Sequence, residues 1–170
     1  AFRGNSGLPL TGIRASIIKG FDSYMHYNLI VLHYGLNVLG DGTSGMQWYK
    51  AGMKRYVSYI RNSFPDASIL IVSVSDKSRK NERGEMETSP EVPELVEIQR
   101  TVAREEGLAF WDLYGAMGGY NSMVRWVSEK PPLANKDFTH INHRGAEKIA
   151  AMLFTQFLNE YEKYIHKTAL

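Results

Sequence analysis

Asp137-Phe-Thr-His140 is the segment of this chain whose residue types and spacing suit chemistry best. A carboxylate and an imidazole three residues apart can turn toward one centre. There the imidazole takes a proton from a nucleophile while the carboxylate fixes its tautomer and supports the charge that forms. Taken alone, the same residues better suit a surface turn ahead of a helix, where Asp is favoured by the helix dipole. Gly35-Leu-Asn37 closes a strongly apolar stretch, and a side-chain amide at the carboxyl end of a strand can donate to a developing oxyanion. Gly4-Asn-Ser-Gly7 lies in the opening loop, where a backbone N–H just ahead of a helix can face an anion. Gly and Asn are also common turn residues, so neither segment decides anything by itself.

These residues must be carried by a scaffold, and the apolar pattern predicts one. Ile13, Ile17, Phe21 and Met25 recur at helical spacing after a possible cap at Thr11. Leu29–Leu32 is continuously apolar, as in a strand covered on both faces. A helix over about 44–63 would bury Met46, Tyr49, Met53, Tyr56, Val57 and Ile60 before Phe64-Pro65 stops it. Residues 68–74 read as a second strand. The segment from Asp76 to Glu87 alternates charge and reads as a solvated loop running on to about Thr88. A helix with Leu95, Ile98, Val102 and Ala103 follows, closed by Gly107 in the left-handed cap position. Leu108–Leu113 is a third strand, where Asp112 suits a structural bond to a neighbouring loop. Residues 115–136 read as irregular, with a short helix near 122–127. Asn142 caps a last helix over about 143–165, apolar at Ala146, Ile149, Ala150, Leu153, Phe157 and Tyr161.

Strand and helix in alternation predict an α/β fold, a three-layer α/β/α arrangement around a parallel sheet. Functional loops then gather beyond the carboxyl ends of the strands. No repeat or linker divides the chain, so residues 1–170 read as one domain.

Ser-Gly, a helix, an apolar strand ending in Gly-x-Asn, and Asp-x-x-His before the final helix occur here in an order that resembles the SGNH hydrolases, the GDSL-like lipases and acylhydrolases. The resemblance covers essentially the whole chain and implies a flavodoxin-like fold. By this resemblance Ser6-Gly7 matches the second block, and the Gly7 N–H would enter the oxyanion hole. Gly35-Leu-Asn37 matches the third block and offers the Asn37 amide, although Val38 stands where the family often has Asp. Asp137 and His140 match the last block as acid and base. The 30 residues from Gly7 to Asn37 accommodate the family's intervening helix and strand. The family's Gly-Asp-Ser nucleophile block is missing. Gly4-Asn5-Ser6 imitates it, but lies too close to Asn37 for the elements that normally intervene. We therefore expect the first strands, with the serine, to lie upstream of Ala1 and to complete the sheet. Relatives with a large insertion between the serine and glycine blocks, including bacterial peptidoglycan O-acetyl esterases, would give such a boundary.

Met117–Met123 and Trp126 precede the catalytic pair, and Met123 or Trp126 could line an acyl or sugar pocket or simply plug the core. His143 follows His140 without the carboxylate register of a zinc helix. With no cysteine, disulfides and thiol catalysis are excluded. A net charge of +2, evenly spread, gives no footprint for nucleic acid. No apolar run reaches the roughly 20 residues of a membrane span. The expected activity is cofactor-free, metal-free hydrolysis of a small-molecule or glycan ester, an acetylated carbohydrate by family analogy, in an extracytoplasmic setting. A binding domain that keeps the architecture without the chemistry is the competing expectation, and it predicts that Asp137 and His140 are not hydrogen-bonded. A flavodoxin-like ligand or signalling domain is a third, disfavoured because no phosphate-cradling glycine loop follows a strand.

Overall fold

A computed structural model of the protein describes Gly20, residues 25–39 and residues 46–168. The helix expected to start near Gly12 falls almost entirely outside these residues, as do Thr11, Ser6 and Gly7. The chain forms two compact units: residues 1–75 with 90–112, and residues 76–89 with 113–170.

The first unit holds a parallel sheet of β1 (Leu29–Leu32), β2 (Ser68–Val72) and β5 (Ala109–Trp111), in the order β1-β2-β5. Ile30 pairs with Ile69, and Ile71 with Phe110. Crossovers through α1 (Met46–Ser63) and α2 (Glu91–Glu105) make the parallel arrangement possible. All six apolar positions predicted for α1 are buried, as are Leu95, Val102 and Ala103 of α2. α2 packs on β2, on β5 and on α1. Gly107 ends the turn after α2 at φ +63°, and the Leu108 N–H returns to the Ala103 carbonyl at 2.8 Å. Asp112 holds the Arg100 guanidinium at 2.6 Å, the structural bond its position suggested.

β1 departs from expectation. Its continuous apolar run predicts cover on both faces, yet Leu29 and Val31 are 41% and 48% exposed while Leu32 on the opposite face is buried. β1 is the terminal strand of the order, and among the described residues nothing pairs with its outer edge.

The second unit contains a feature that sequence reading took for a solvated loop. β3 (Ser78–Lys80) and β4 (Met86–Thr88) form an antiparallel hairpin, with Arg79 opposite Glu87. Asn81 builds the turn: its Oδ1 accepts the Arg83 and Glu85 N–H groups at 3.0 Å each, and Gly84 takes the left-handed conformation at φ +80°. Asp76, at the start of the same charged stretch, is wholly buried. α3 (Leu113–Met117), where irregular chain was expected, and α4 (Ser122–Ser128) follow, then α5 (His143–Thr168). α3 packs on α5, and α4 on β4. Leu113, Met117, Met123, Trp126 and Ala134 are the buried apolar side chains of this unit among the described residues.

Asn142 caps α5 as predicted, its Oδ1 accepting the Gly145 N–H at 3.1 Å. The expected burial of α5 stops early. Ile149, Met152 and Leu153 are half-buried, whereas Phe154, Phe157, Leu158, Tyr161, Tyr164 and Ile165 are exposed along one face. No helix among the described residues is long and apolar enough to cross a membrane.

Candidate active site

Asp137 and His140 occupy a short loop tied down on both sides. The Asn135 N–H donates to the His140 carbonyl at 2.8 Å, and the Phe138 N–H to the Asn135 carbonyl at 3.1 Å. Ala134 and Ile141 form an antiparallel bridge, and the Asn142 N–H donates to the Leu133 carbonyl at 3.1 Å. From the hairpin, the Ser78 N–H donates to the Phe138 carbonyl at 2.9 Å. Phe138 itself adopts φ +55°, a left-handed conformation uncommon for a bulky residue. That reversal folds the Asp137-Phe-Thr-His140 tetrapeptide back on itself.

The fold-back brings the pair together. Asp137 Oδ2 lies 2.8 Å from His140 Nδ1. Its other oxygen accepts two backbone N–H groups, from Thr139 and His140, at 2.9 Å each. The His140 backbone bond, the bond to the His140 ring and the Thr139 backbone bond hold the Asp137 carboxyl down at about 2. At neutral pH it is an anion that can only accept. Nδ1 therefore carries a proton, which leaves Nε2 as the ring nitrogen that accepts one whenever the imidazole is neutral. The His140 side chain is 73% exposed, so Nε2 is open to a reacting group. This is the arrangement a general base requires, an oriented imidazole with its carboxylate already charged.

Gly145 fixes where this loop passes into α5. A Cβ at that position would overlap the Leu133 carbonyl oxygen and come within 2.6 Å of Ile141 Cγ2. Only glycine lets the first turn of α5 pass so close to the strand-like segment before it. Sequence reading passed over this residue; a glycine three positions beyond an N-cap, where it weakens a helix, was the available signal.

In the first unit, Gly35 at φ +129° opens a 3-10 turn over Leu36–Val38, closed by the Val38 N–H on the Gly35 carbonyl at 2.9 Å. Asn37 stands on this turn and is exposed. Gly35 is enclosed, since a Cβ there would meet Tyr49 Oη at 2.8 Å and both Gln99 Nε2 and Val74 Cγ1 at 3.1 Å. Gly7 lies outside the described residues. Met123 is completely buried, and Trp126 nearly so, with its Nε1–H on the Met117 carbonyl at 3.1 Å and the Lys148 ammonium 5.4 Å from its ring. His143 lies 3.4 Å from Glu147 on the exposed side of α5.

With this geometry in view, the family assignment is decided by a match of the GDSL-like Lipase/Acylhydrolase sequence model to residues 2–148. The chain belongs to the GDSL-like lipase/acylhydrolase family. Solved structures agree. A peptidoglycan O-acetylesterase superposes with a TM-score of 0.76 at 26% identity, over 88% of this chain and 42% of the other. The chain thus spans less than half the length of that relative. The periplasmic domain of a lipopolysaccharide acetyltransferase from Salmonella ser. Paratyphi A shares the fold, with a TM-score of 0.57 at 10% identity over 82% of this chain and 60% of the other. No curated protein matches the chain in sequence. The parallel three-stranded sheet with its helices is the α/β, flavodoxin-like scaffold of SGNH hydrolases.

Proposed function

We propose that the protein is a serine ester hydrolase in which His140, oriented by Asp137, is the general base. The bond of 2.8 Å between Asp137 Oδ2 and His140 Nδ1 carries this reading, because a binding domain that had abandoned the chemistry has no need of it. A serine Oγ attacks the ester carbonyl while His140 Nε2 takes its proton. The tetrahedral oxyanion accepts hydrogen bonds from the Asn37 amide and the Gly7 N–H. When the intermediate collapses, His140 returns the proton to the departing alcohol. Water then enters by the same route and releases the acid.

The serine, in this proposal, comes from chain preceding Ala1 that also completes the sheet. Three observations support it. No Gly-Asp-Ser occurs in the 170 residues. The peptidoglycan O-acetylesterase that matches so well is more than twice as long. The exposed face of β1 and the exposed apolar stripe of α5 are surfaces of the kind that further chain covers. Likeness to that esterase also favours an O-acetylated carbohydrate or cell-wall glycan as substrate, and with it an extracytoplasmic site of action.

The test is His140→Ala in the complete natural protein, assayed on 4-nitrophenyl acetate and on O-acetylated peptidoglycan. Turnover of both is expected to vanish while the protein stays folded. Full activity in the variant refutes the assignment, and preference for long-chain over acetyl esters refutes the substrate class. Labelling with a fluorophosphonate and mapping the modified peptide locates the nucleophile; a label on Ser6 overturns the upstream serine.

A further inference from the structure

The turn that carries Asn37 is held from behind by a side chain with no evident reason to be polar. Gln99 lies in the middle of α2 and is wholly buried. Its Oε1 accepts the Val74 N–H at 2.9 Å. Its Nε2 donates to the Tyr34 carbonyl at 2.6 Å and to Tyr49 Oη at 3.0 Å. The Tyr49 hydroxyl donates in turn to the same Tyr34 carbonyl at 3.0 Å. Burial pushes the Tyr49 phenol up to about 12, so it keeps the proton it donates. The amide has only one workable orientation, because a flip would set its oxygen against the Tyr34 carbonyl and its NH2 against the Val74 N–H.

The bonding follows the fold. Ser73 still donates to the Trp111 carbonyl at 2.9 Å, but the next N–H along, that of Val74, goes to Gln99. Tyr34 likewise lies just past the last β1–β2 pair, Leu32 with Ile71. Gln99 therefore bonds the groups just past the carboxyl ends of two adjacent strands. It does so immediately before Gly35, whose missing side chain makes room for Gln99 Nε2 and Tyr49 Oη.

We infer that Gln99, with Tyr49, is a positioning residue that locks the Tyr34–Gly35 peptide and thereby sets the direction of the Asn37 amide toward the oxyanion. This inference rests on the proposed role of Asn37. A donor preorganised for a transition state must be held by something stiffer than an exposed turn. A buried amide with every hydrogen used supplies that stiffness, since any rotation strands a polar group in the core.

The experiment is a double-mutant comparison in the complete natural protein, with Asn37→Ala, Gln99→Met and the pair, using 4-nitrophenyl acetate. Methionine fills nearly the same volume and can neither donate to Tyr34 nor hold Val74. Asn37→Ala is expected to lower kcat by about a hundredfold. Gln99→Met should lower kcat on the order of tenfold or more with KM changed less than about twofold, because a small misplacement near the reacting atoms acts on the transition state. In the Asn37→Ala background, Gln99→Met should cost almost nothing further, since no amide remains to be aimed. A role in general stability would instead give equal losses in both backgrounds, and that result overturns the inference. An unchanged kcat in Gln99→Met, alongside a large loss in Asn37→Ala, overturns it while sparing the oxyanion assignment. An unchanged kcat in Asn37→Ala removes the assignment itself and the inference with it. Tyr49→Phe, which deletes only the hydroxyl, takes the place of Gln99→Met should that variant not fold, with the same comparison and a smaller loss of about threefold.

Discussion

Asp76 is the side chain whose removal the structure predicts most sharply. Its Oδ2 accepts the Met123 N–H at 2.8 Å, Thr88 Oγ1 at 3.0 Å and Ser122 Oγ at 3.2 Å, all inside the second unit. Thr88 and Asn121 bond reciprocally, Asn121 N–H to Thr88 Oγ1 at 2.7 Å and Thr88 N–H to Asn121 Oδ1 at 3.0 Å. One carboxylate thus joins the hairpin to the start of α4. In Asp76→Ala the two hydroxyls can rotate, but the Met123 N–H cannot, and Met123 is completely buried. An orphaned buried donor costs about 1–3 kcal/mol. Adding the small hole left by the carboxyl gives about 2–4 kcal/mol in all. With a urea slope of about 2 kcal/mol/M, the unfolding midpoint should fall by about 1–2 M.

Asp76→Asn leaves no hole, and its amide oxygen can keep the Met123 bond, but its NH2 takes the buried place of Oδ1, which has no hydrogen-bond partner, so it too should cost about 1–3 kcal/mol. pH separates the two effects further. Burial raises the Asp76 carboxyl above its ordinary 3.8, against the pull of its hydrogen bonds. The folded protein therefore holds this proton more tightly than the unfolded chain. That stabilisation is full below the ordinary value and is lost as pH climbs through the raised one. The pH slope should be absent from Asp76→Asn. Urea titrations of the three proteins across the acid range test all of this. An Asp76→Ala midpoint equal to that of the unaltered protein, or a pH slope that persists in Asp76→Asn, would refute the reasoning.

Asp137→Asn should remove the charged acceptor that fixes the His140 tautomer and lower kcat by about 10²–10⁴-fold with the fold intact, read by esterase kinetics beside circular dichroism. Because the Asp137 carboxyl sits at about 2, below its unfolded value, its contribution is fully present above pH 4 and fades only as pH falls toward 2. An inflection in the activity profile between pH 4 and 9 should therefore not belong to it, and direct titration of the Asp137 carboxyl by NMR with a midpoint above pH 4 contradicts that. Gly145→Ala should destabilise by about 2 kcal/mol or more despite alanine's better helix propensity, since the clash is with backbone; a raised melting temperature refutes the close approach.

The scaffold was legible where burial imposes a period. α1 declared itself through six apolar positions on one face, and β2 through the run Ile69–Val72, which is buried on both faces. The contact between Asp137 and His140 was legible because three residues is a spacing that one tight turn can close. The β3–β4 hairpin was not, because its residues face water and carry alternating charges that fit a loop equally well. Only Asn81 and Gly84, a turn pair, hinted at it. Asp76 and Gln99 were missed for a related reason. Both are polar residues whose burial depends on partners far along the chain, Met123 and Tyr34 among them, and local pattern carries no trace of such partners. β1 looked buried because Leu29 and Val31 are as apolar as Leu32, and composition does not record which face meets water.

Burial along α5 has a consequence for its motion. From Phe154 to Lys167 every residue of the helix is exposed, so these turns bury little surface, and near neighbours such as Glu160 with Lys163 at 2.7 Å contribute to holding them. Turns that bury little surface open far more often than turns pinned by a core. Amide hydrogen exchange in this chain should therefore be slow near Ile149 and quicken steadily toward Thr168. Any surface that comes to rest on the aromatic stripe would flatten that gradient, which makes the exchange profile a direct reporter of whether α5 is covered.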